Sequence, residues 1–564
     1  MPCRTGADLL QPAGRARRGL LRRAFAWTLL RPAAGVAGGA TVAGVAPGAV
    51  GAAPRGALPA TDPAPPPWAP LLDGDGPAAS ARAAVALLAD AASHGLRPAD
   101  YAAESLQAAL QAASTPGEPA RWNAAEAAAF AQRLHAALLR LLRHLHLGRV
   151  DPRRVHANFE PPQRLSADLP ALLQEALARP DPTALADLAQ RLTPPLPLYA
   201  HLREALRAYR ALAGHPAWAE PLPPLPVVAG PAGRVPKLAP GQPWPGLQRL
   251  ADRLQALGDL PLPVTAPPAL EGEMVSALQS FQRRHGLEPD GVLGRATLAA
   301  LQVRPESRAR QIELALERLR WTPLLQGPRM VVINVPEFVL RAYEVAPDGR
   351  IAVREQMRVI VGRAQASRTP LFGEDMRFIE FSPYWNVPPS IARQELIPRL
   401  RRDPGHFDRE GFEFVGPGGQ VQTTLSPSRL DDVLAGRWRI RQRPGPRNAL
   451  GDIKFVFPNH DAIFLHHTPS VGLFARERRD FSHGCIRVED PVALARFVLA
   501  PQPDWTEVRI REAMGAGTST TLRLARPVPV LIAYATALVL GSRVHFFDDV
   551  YGYDRLLGAA LDAG

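Results

Sequence analysis

Apolar residues recur at helical spacing from about 78 to 215, most clearly in AEAAAFAQRLHAALLRLLRHLHLG (125–148), where Gly148 stands in the place of a C-cap. This predicts an α-helical domain over 78–236. A second helical cadence fills 246–302: GLQRLADRLQALGDL, a proline-rich gap, then MVSALQSFQRRHGLEPDGVLGRATLAAL. In its second helix Val275, Leu278 and Phe281 share a face, Gly286 stops the helix, and Asp290-Gly291 turns the chain into a third. From 329 the period changes. RMVVINVPEFVLRAYEV, MRVIVGR, MRFIEFSPYWNVP and IKFVFPNHDAIFLHH mix β-branched and aromatic residues with Pro, Asn, Asp and Gly, and predict a β-rich domain over 325–505. Inside it, 400–447 is polar, glycine-rich and long for a connection, the character of a lid-like insertion. Residues 506–564 are expected to pack on that domain as a C-terminal extension. The fold class is thus multidomain α+β.

Between these blocks lie stretches that cannot bury a core. The 61 prolines of the 564-residue chain concentrate in PRGALPATDPAPPPWAP (54–70) and PLPPLPVVAGPAGRVP (221–236), and 54–77 reads as a Pro/Ala-rich linker. Before it, GRARRGLLRRAFAWTLL is basic then apolar, and 32–53 carries no charge up to the small residues Val50-Gly51-Ala52. Residues 1–53 therefore read as a signal peptide or N-terminal membrane anchor. The formal net charge is +13, but lysine occurs only at 237 and 454, so the positive charge is arginine spread along the chain without a dense run. With no interleaved aromatic and basic motif, a nucleic-acid partner is not expected, and membrane contact is expected only through the N-terminal segment.

Composition also isolates one thiol. The chain has two cysteines, Cys3 and Cys485, and export with cleavage would leave Cys485 alone, so no disulfide within the chain could form. Its surroundings are DFSHGCIRVEDP (480–491). Upstream, 453–457 and 462–467 read as strands joined by Pro458-Asn459-His460-Asp461; in the second, Phe464 and His466 face one side, Leu465 and His467 the other. Only one histidine of that pair can face a given cysteine. Asp490-Pro491 then opens a helix over about 491–499, which leaves Cys485 in a loop between a strand that offers a histidine and a new helix.

A free thiol is only a few per cent thiolate at neutral pH, and a neighbouring imidazolium lowers its pKa. The histidine can then act as acid toward a leaving amine. Backbone N–H groups of a tight His483-Gly484-Cys485 turn can hold a developing oxyanion. A metal site built from His466, His467, His483 and Cys485 conflicts with the strand alternation and lacks ligand spacing. A papain-like protease would place its cysteine before its histidine, the reverse of the order here. His135, His144 and His146 read as packed or solvated positions of a helix.

Two resemblances sharpen this picture. Phe281, Gln282, Gly286, Leu287, Asp290, Gly291, Gly294 and Thr297 match the pattern of the three-helix peptidoglycan-binding module. FLHHTP followed by SHGCIRV resembles the signature of the L,D-transpeptidases (YkuD-type domain); SPYWNVPPSI, RPGPRNALGDIKFVFPN and the C-terminal PVPVLIAYATALV resemble its long, YcbB-like branch, which joins a helical scaffold, a peptidoglycan-binding module and a lid-bearing catalytic domain. The resemblance implies a periplasmic enzyme, exported or tethered to the inner membrane, that acts on peptidoglycan stem peptides in the sacculus. It forms 3→3 cross-links through a cysteine thioester, without metal or organic cofactor, and is acylated by carbapenems. Its alternatives are a same-fold L,D-carboxypeptidase or endopeptidase and an inactive wall-binding scaffold. Carried over by position, Cys485 is the nucleophile, His466 its acid/base partner, and His483 and Gly484 the catalytic turn. Arg487, Ser482, His467, Tyr384, Trp385 and Asn386 are the substrate-binding candidates. Histidine at 467 departs from the Asp, Ser or Gly expected there, which is tolerable if only its backbone carbonyl orients His466.

Overall fold

The computed structural model describes residues 65–563 apart from 75, 114–121, 157–158, 160–166, 182, 231–232, 262–264, 266 and 324–326. The segment expected over 1–53, Cys3 and most of the linker lie outside the described residues. No described helix is long and apolar enough to cross a membrane.

Helices α1 (Ala79–Asp90), α2 (Ala103–Ala113), α3 (Ala124–Leu147), α4 (Leu169–Ala178) and α5 (Ala184–Leu192) close on one apolar core that includes Leu88, Leu106, Leu134, Leu142 and Leu188. The long α3 starts on a capping box: Asn123 Oδ1 accepts from Glu126 N–H, and Glu126 Oε2 accepts from Asn123 N–H, each at 3.0 Å. The linker expected to 77 ends sooner than its composition suggests, because Leu71 is fully buried in this core and Trp68 packs on it.

Helix α6 (Pro197–Ala211) packs against a helix not expected from the sequence, α10 (Pro305–Trp321), through Leu202, Leu206, Ile312, Leu316 and Leu319. Gly148 caps α3 as expected and has a second reason to be glycine: a Cβ there would lie 2.7 Å from the Glu317 carboxylate of α10. Between α6 and α10 sits the module of α7 (Leu247–Ala256), α8 (Glu273–Arg284) and α9 (Arg295–Gln302). Its motif residues build the fold. Phe281 is core, and buried Gln282 donates to Asp290 Oδ1 (2.9 Å) and Val292 O (3.0 Å) while accepting from Gly291 N–H (2.9 Å).

The C-terminal half is built on strands β1 (Arg329–Asn334), β2 (Val339–Val345), β3 (Ile351–Gly362), β4 (Phe372–Phe381), β5 (Trp385–Asn386), β6 (Phe412–Val415), β7 (Val421–Gln422), β8 (Arg439–Gln442), β9 (Ile453–Val456), β10 (Leu465–His466), β11 (Asp480–Ser482), β12 (Ile486–Val488) and β13 (Thr520–Ala533). One sheet runs in the order β11-β3-β12-β10-β9-β4-β13-β1-β2, and β2 also pairs with β3, so the ladder closes on itself. Val331, Ile333, Val359, Ile379, Phe455, Leu465, Ile486 and Ile532 fill its core.

Two boundaries differ from the sequence reading. Residues 506–564 are not an added extension, since β13 lies between β4 and β1 in the middle of the sheet. Pro527 and Pro529 obscure it in the sequence; a register shift between Arg523 and Val528 accommodates the break. The insertion expected over 400–447 begins earlier. Its sheet β7-β6-β8-β5 already includes Trp385 and Asn386, and Val387, Ala392, Leu396 and Ile397 share a core with Leu400, Phe407, Phe412, Phe414 and Ile440.

Candidate active site

Register across the closed sheet creates a row of polar side chains. Glu380 of β4 stands opposite Lys454 of β9, Lys454 opposite His466 of β10, and His466 opposite Arg487 of the parallel β12. Because residues two apart on a strand share a face, Cys485 lies on the same side as Arg487, and Phe464 on the same side as His466. Contacts agree with that geometry. The Phe464 and His466 rings are 5.8 Å apart, Lys454 Nζ lies 4.4 Å from the Phe464 ring centroid, and Lys454 Nζ bonds Glu380 Oε2 at 3.0 Å.

His466 is buried and its Nδ1 bonds the carbonyl of His467. A carbonyl can only accept, so Nδ1 carries the proton and Nε2 keeps the lone pair. The departure at 467 is therefore harmless on this count, since the backbone does the orienting. The His467 side chain turns away to Asp452, Nδ1 to Oδ1 2.6 Å, and packs over Gly451, where a Cβ would come within 2.7 Å of it.

The loop before β12 is held from several sides. Ser482 Oγ accepts from Gly484 N–H at 3.1 Å and donates to Cys485 O. Thr369 Oγ1 donates to Gly484 O at 2.7 Å, and Ser367 Oγ to Ser482 O at 3.0 Å. Gly484 has φ +120°, a region that favours glycine. Its N–H is committed to Ser482, which removes it from the N–H groups of the 483–485 turn expected to hold an oxyanion; the Cys485 N–H has no hydrogen-bond acceptor among the described residues.

Burial dominates the electrostatics. It pushes the Cys485 thiol up to about 11, against smaller opposing effects of the Phe464 N–H, Lys454 and Arg487. It pushes His466 down to about 3, reinforced by Arg487 and opposed by hydrogen bonds to the His467 and Leu450 backbone. The resting pair is a neutral thiol and a neutral imidazole, not the thiolate–imidazolium pair expected from the residue types. Arg487 Nε is buried without a hydrogen-bond partner.

The remaining candidates divide. Ser482 braces the turn from within. His483 reaches outward, its Nε2 2.6 Å from Glu395 Oε1 of the insertion. Tyr384 lies under the Arg441 guanidinium at 4.0 Å, Trp385 packs on the insertion core, and Asn386 is exposed on β5; the structure records no contact of these three with Cys485 or His466. Sequence reasoning missed Lys454, Glu380, Thr369, Ser367 and Glu395. Lys454 alone left a signal, as one of two lysines in an arginine-rich chain. Among the described residues no three His, Cys, Asp or Glu side chains could hold a metal ion.

Comparison with known proteins places this site. The L,D-transpeptidase catalytic domain (YkuD) family matches 328–530, which spans both halves of the row and the cysteine. Residues 328–530 are therefore similar to the YkuD catalytic domain. The scaffold-domain family matches 68–206, and the family described as "Putative peptidoglycan binding domain" matches 245–301. A Haemophilus influenzae protein named "Putative L,D-transpeptidase" is 31% identical over 253 residues, 44% of this chain and 49% of that protein. The chain thus spans about half the length of the curated relative it matches. Among solved structures, an L,D-transpeptidase from Xylanimonas cellulosilytica aligns over 54% of this chain and 100% of its own, at 18% identity and a TM-score of 0.15. A fused Zn-dependent amidase/peptidase/peptidoglycan-binding protein from Clostridium acetobutylicum aligns over 53% and 100%, at 10% identity and 0.16. Likenesses that weak carry no argument. In the matched region the histidine lies on β10 and the nucleophile candidate in the turn that leads into the adjacent parallel strand β12.

Proposed function

We propose that the chain is a periplasmic peptidoglycan L,D-transpeptidase that joins stem peptides by 3→3 cross-links through a thioester at Cys485. What supports this reading is that Cys485, in the turn just before β12, lies two residues from Arg487, whose register partner on β10 is His466, and that His466 Nδ1 is tied to a carbonyl. The Sγ proton passes to Nε2 as sulfur attacks the carbonyl carbon at the L-centre of diaminopimelate in a donor tetrapeptide. The Cys485 N–H receives the oxyanion. On collapse the C–N bond breaks, His466 returns the proton to the departing D-alanine amine, and the thioester remains. The amine of a second stem then attacks, His466 takes its proton, and the sulfur leaves to recover that proton as thiol. Lys454 and the unpartnered Arg487 favour the thiolate as charge develops. Every group that moves a proton is supplied by the chain.

Incubation of the purified chain with disaccharide-tetrapeptide is expected to release D-alanine and give 3→3 cross-linked dimers, and carbapenems are expected to add one-to-one at Cys485, both read by mass spectrometry. Tripeptide as sole product at high acceptor concentration would mean a carboxypeptidase. No release and no adduct would mean an inactive scaffold.

A further inference from the structure

The insertion reaches the nucleophile's own turn through one side-chain pair. It enters on a helical run over 389–402 in which Ala392–Leu396 form a π turn between Pro389–Ile391 and Ile397–Arg402. Ala392, Leu396, Ile397 and Leu400 bury in the insertion core, which leaves Glu395 on the outside of the run. There its Oε1 meets His483 Nε2 at 2.6 Å, the two side chains being 49% and 32% exposed. π-Helix is rare, occurs mostly as single turns within α-helical runs, and is frequent at functional sites.

The rest of the insertion's polar anchoring is at its root. Asn448 Nδ2 donates to Pro383 O (3.0 Å) and Arg443 O (2.9 Å), and Gln442 Nε2 donates to Glu410 O and Arg447 O, both at 2.9 Å. Those bonds fix where the insertion leaves and rejoins the domain. Among the described residues, Glu395–His483 is the side-chain bond that joins the body of the insertion to the segment 480–490. His483 stands between Ser482, whose Oγ holds the turn, and Gly484, so a hold on its ring is a hold on the turn that presents Cys485.

We propose that Glu395 is a positioning residue: through His483 it latches the insertion onto the nucleophile's turn and so sets the division of the acyl-enzyme between amine and water. The division, though not the latch itself, rests on the transpeptidase reading above. A thioester is open to both nucleophiles, and transfer prevails when the acceptor is held and water kept out. His483 in this role keeps the cleft closed and moves no proton.

The test compares the full chain with Glu395→Gln and Glu395→Ala. Without substrate, hydrogen–deuterium exchange is expected to speed up about fivefold in 389–402 and 482–486 for Glu395→Ala, the change that loss of a part-exposed ion pair gives. Glu395→Gln, which keeps a neutral hydrogen bond, should fall between, and β4 and β9 should be unchanged. With tetrapeptide donor, the tripeptide-to-dimer ratio is expected to rise about fivefold in Glu395→Ala while first-step D-alanine release stays within about twofold of the parent. Unchanged exchange in both segments would overturn the latch. Faster exchange with an unchanged product ratio would overturn its role in partition. If the parent chain makes no dimer at all, the transpeptidase reading fails, and the exchange comparison still decides whether the latch exists.

Discussion

Two arginines, buried Arg320 on α10 and half-buried Arg487 on β12, meet opposite fates. Arg320 is 1% exposed, yet fully matched: Nη1 bonds Glu317 Oε2 at 2.6 Å, and Nη2 reaches His94 O and, at 3.2 Å, Tyr199 Oη. Glu317 uses its other oxygen on the backbone N–H groups of Arg149 and Val150. Arg487 has no acidic partner among the described residues; the charge that acts on it most is another cation, Arg363, and its neighbours Cys485 and His466 are neutral at rest. Burying charge is expensive unless it is paired. Around α10 that expense is settled within the chain, and the arginine ties α10 to the helical scaffold. At the sheet face it is left open, so the same side chain has capacity for charge that develops on sulfur or arrives with a ligand.

The sharpest way to break this contrast is at the site itself. His466→Ala is expected to lower kcat/KM for D-alanine release by about 10²- to 10⁴-fold, whereas His467→Ala, which loses a side chain aimed at Asp452, should retain activity within about tenfold. Equal losses would mean that the strand faces are assigned wrongly. At the α10 seam the effect should appear in stability instead. Glu317→Ala leaves Arg320 buried without its anion and is expected to cost about 3–5 kcal/mol in denaturant unfolding, with activity per folded molecule unchanged. A loss below about 1 kcal/mol would show that the seam is wet or slack.

The same contrast explains what the sequence made legible. The helix α3 and the strands β1 to β4 announce themselves through their apolar periods, although Asn334 and Arg341 are buried. Helix α10 does not, since Glu317, Arg318 and Arg320 are buried and erase the apolar period. The insertion's first helix hid behind Pro388-Pro389, which reads as a break although proline suits a helix start. At the site, Cys485 and His466 stand in local motifs and could be read directly. Lys454 and Glu380 depend on strand register, and the loop before β10 runs over 457–464 with Ala462 at φ +53°, longer than the four-residue turn the sequence suggests. Glu395 lies 88 residues from His483 and leaves no local trace.

Acid should separate the regions further. His94 and His156, 5% and 8% exposed, are both lowered to about 3, by burial first and then by Arg203 and Arg320 for His94 and by Arg318 for His156. In the unfolded chain both titrate near 6.5. Between these values the unfolded state binds more protons, so the stability they contribute is complete above about pH 6.5 and falls as pH drops toward 3. At pH 5 each should cost about 2 kcal/mol. Melting of the full chain at pH 7 and pH 5 measures this, and His94→Gln should flatten the difference. A chain equally stable at both pH values would mean that these imidazoles are not held neutral.

The smallest stability effect and the most discriminating one should come from Arg487→Met. Removing a half-buried cation that has no acidic partner among the described residues leaves nothing stranded, unlike Glu317→Ala, and a long apolar side chain can fill much of the same space. Unfolding free energy should therefore change by less than about 1 kcal/mol, in either direction. Function should change all the same. Arg487 is one of the groups that hold the Cys485 thiol below where burial alone would put it, and it helps keep His466 neutral. Without it the thiol should titrate higher, and the alkylation rate against pH, already climbing through the neutral range toward about 11, should move to still higher pH. If Arg487→Met instead unfolds the domain while leaving the alkylation profile in place, the arginine braces β12 as Arg320 braces α10, and the distinction between the two regions disappears.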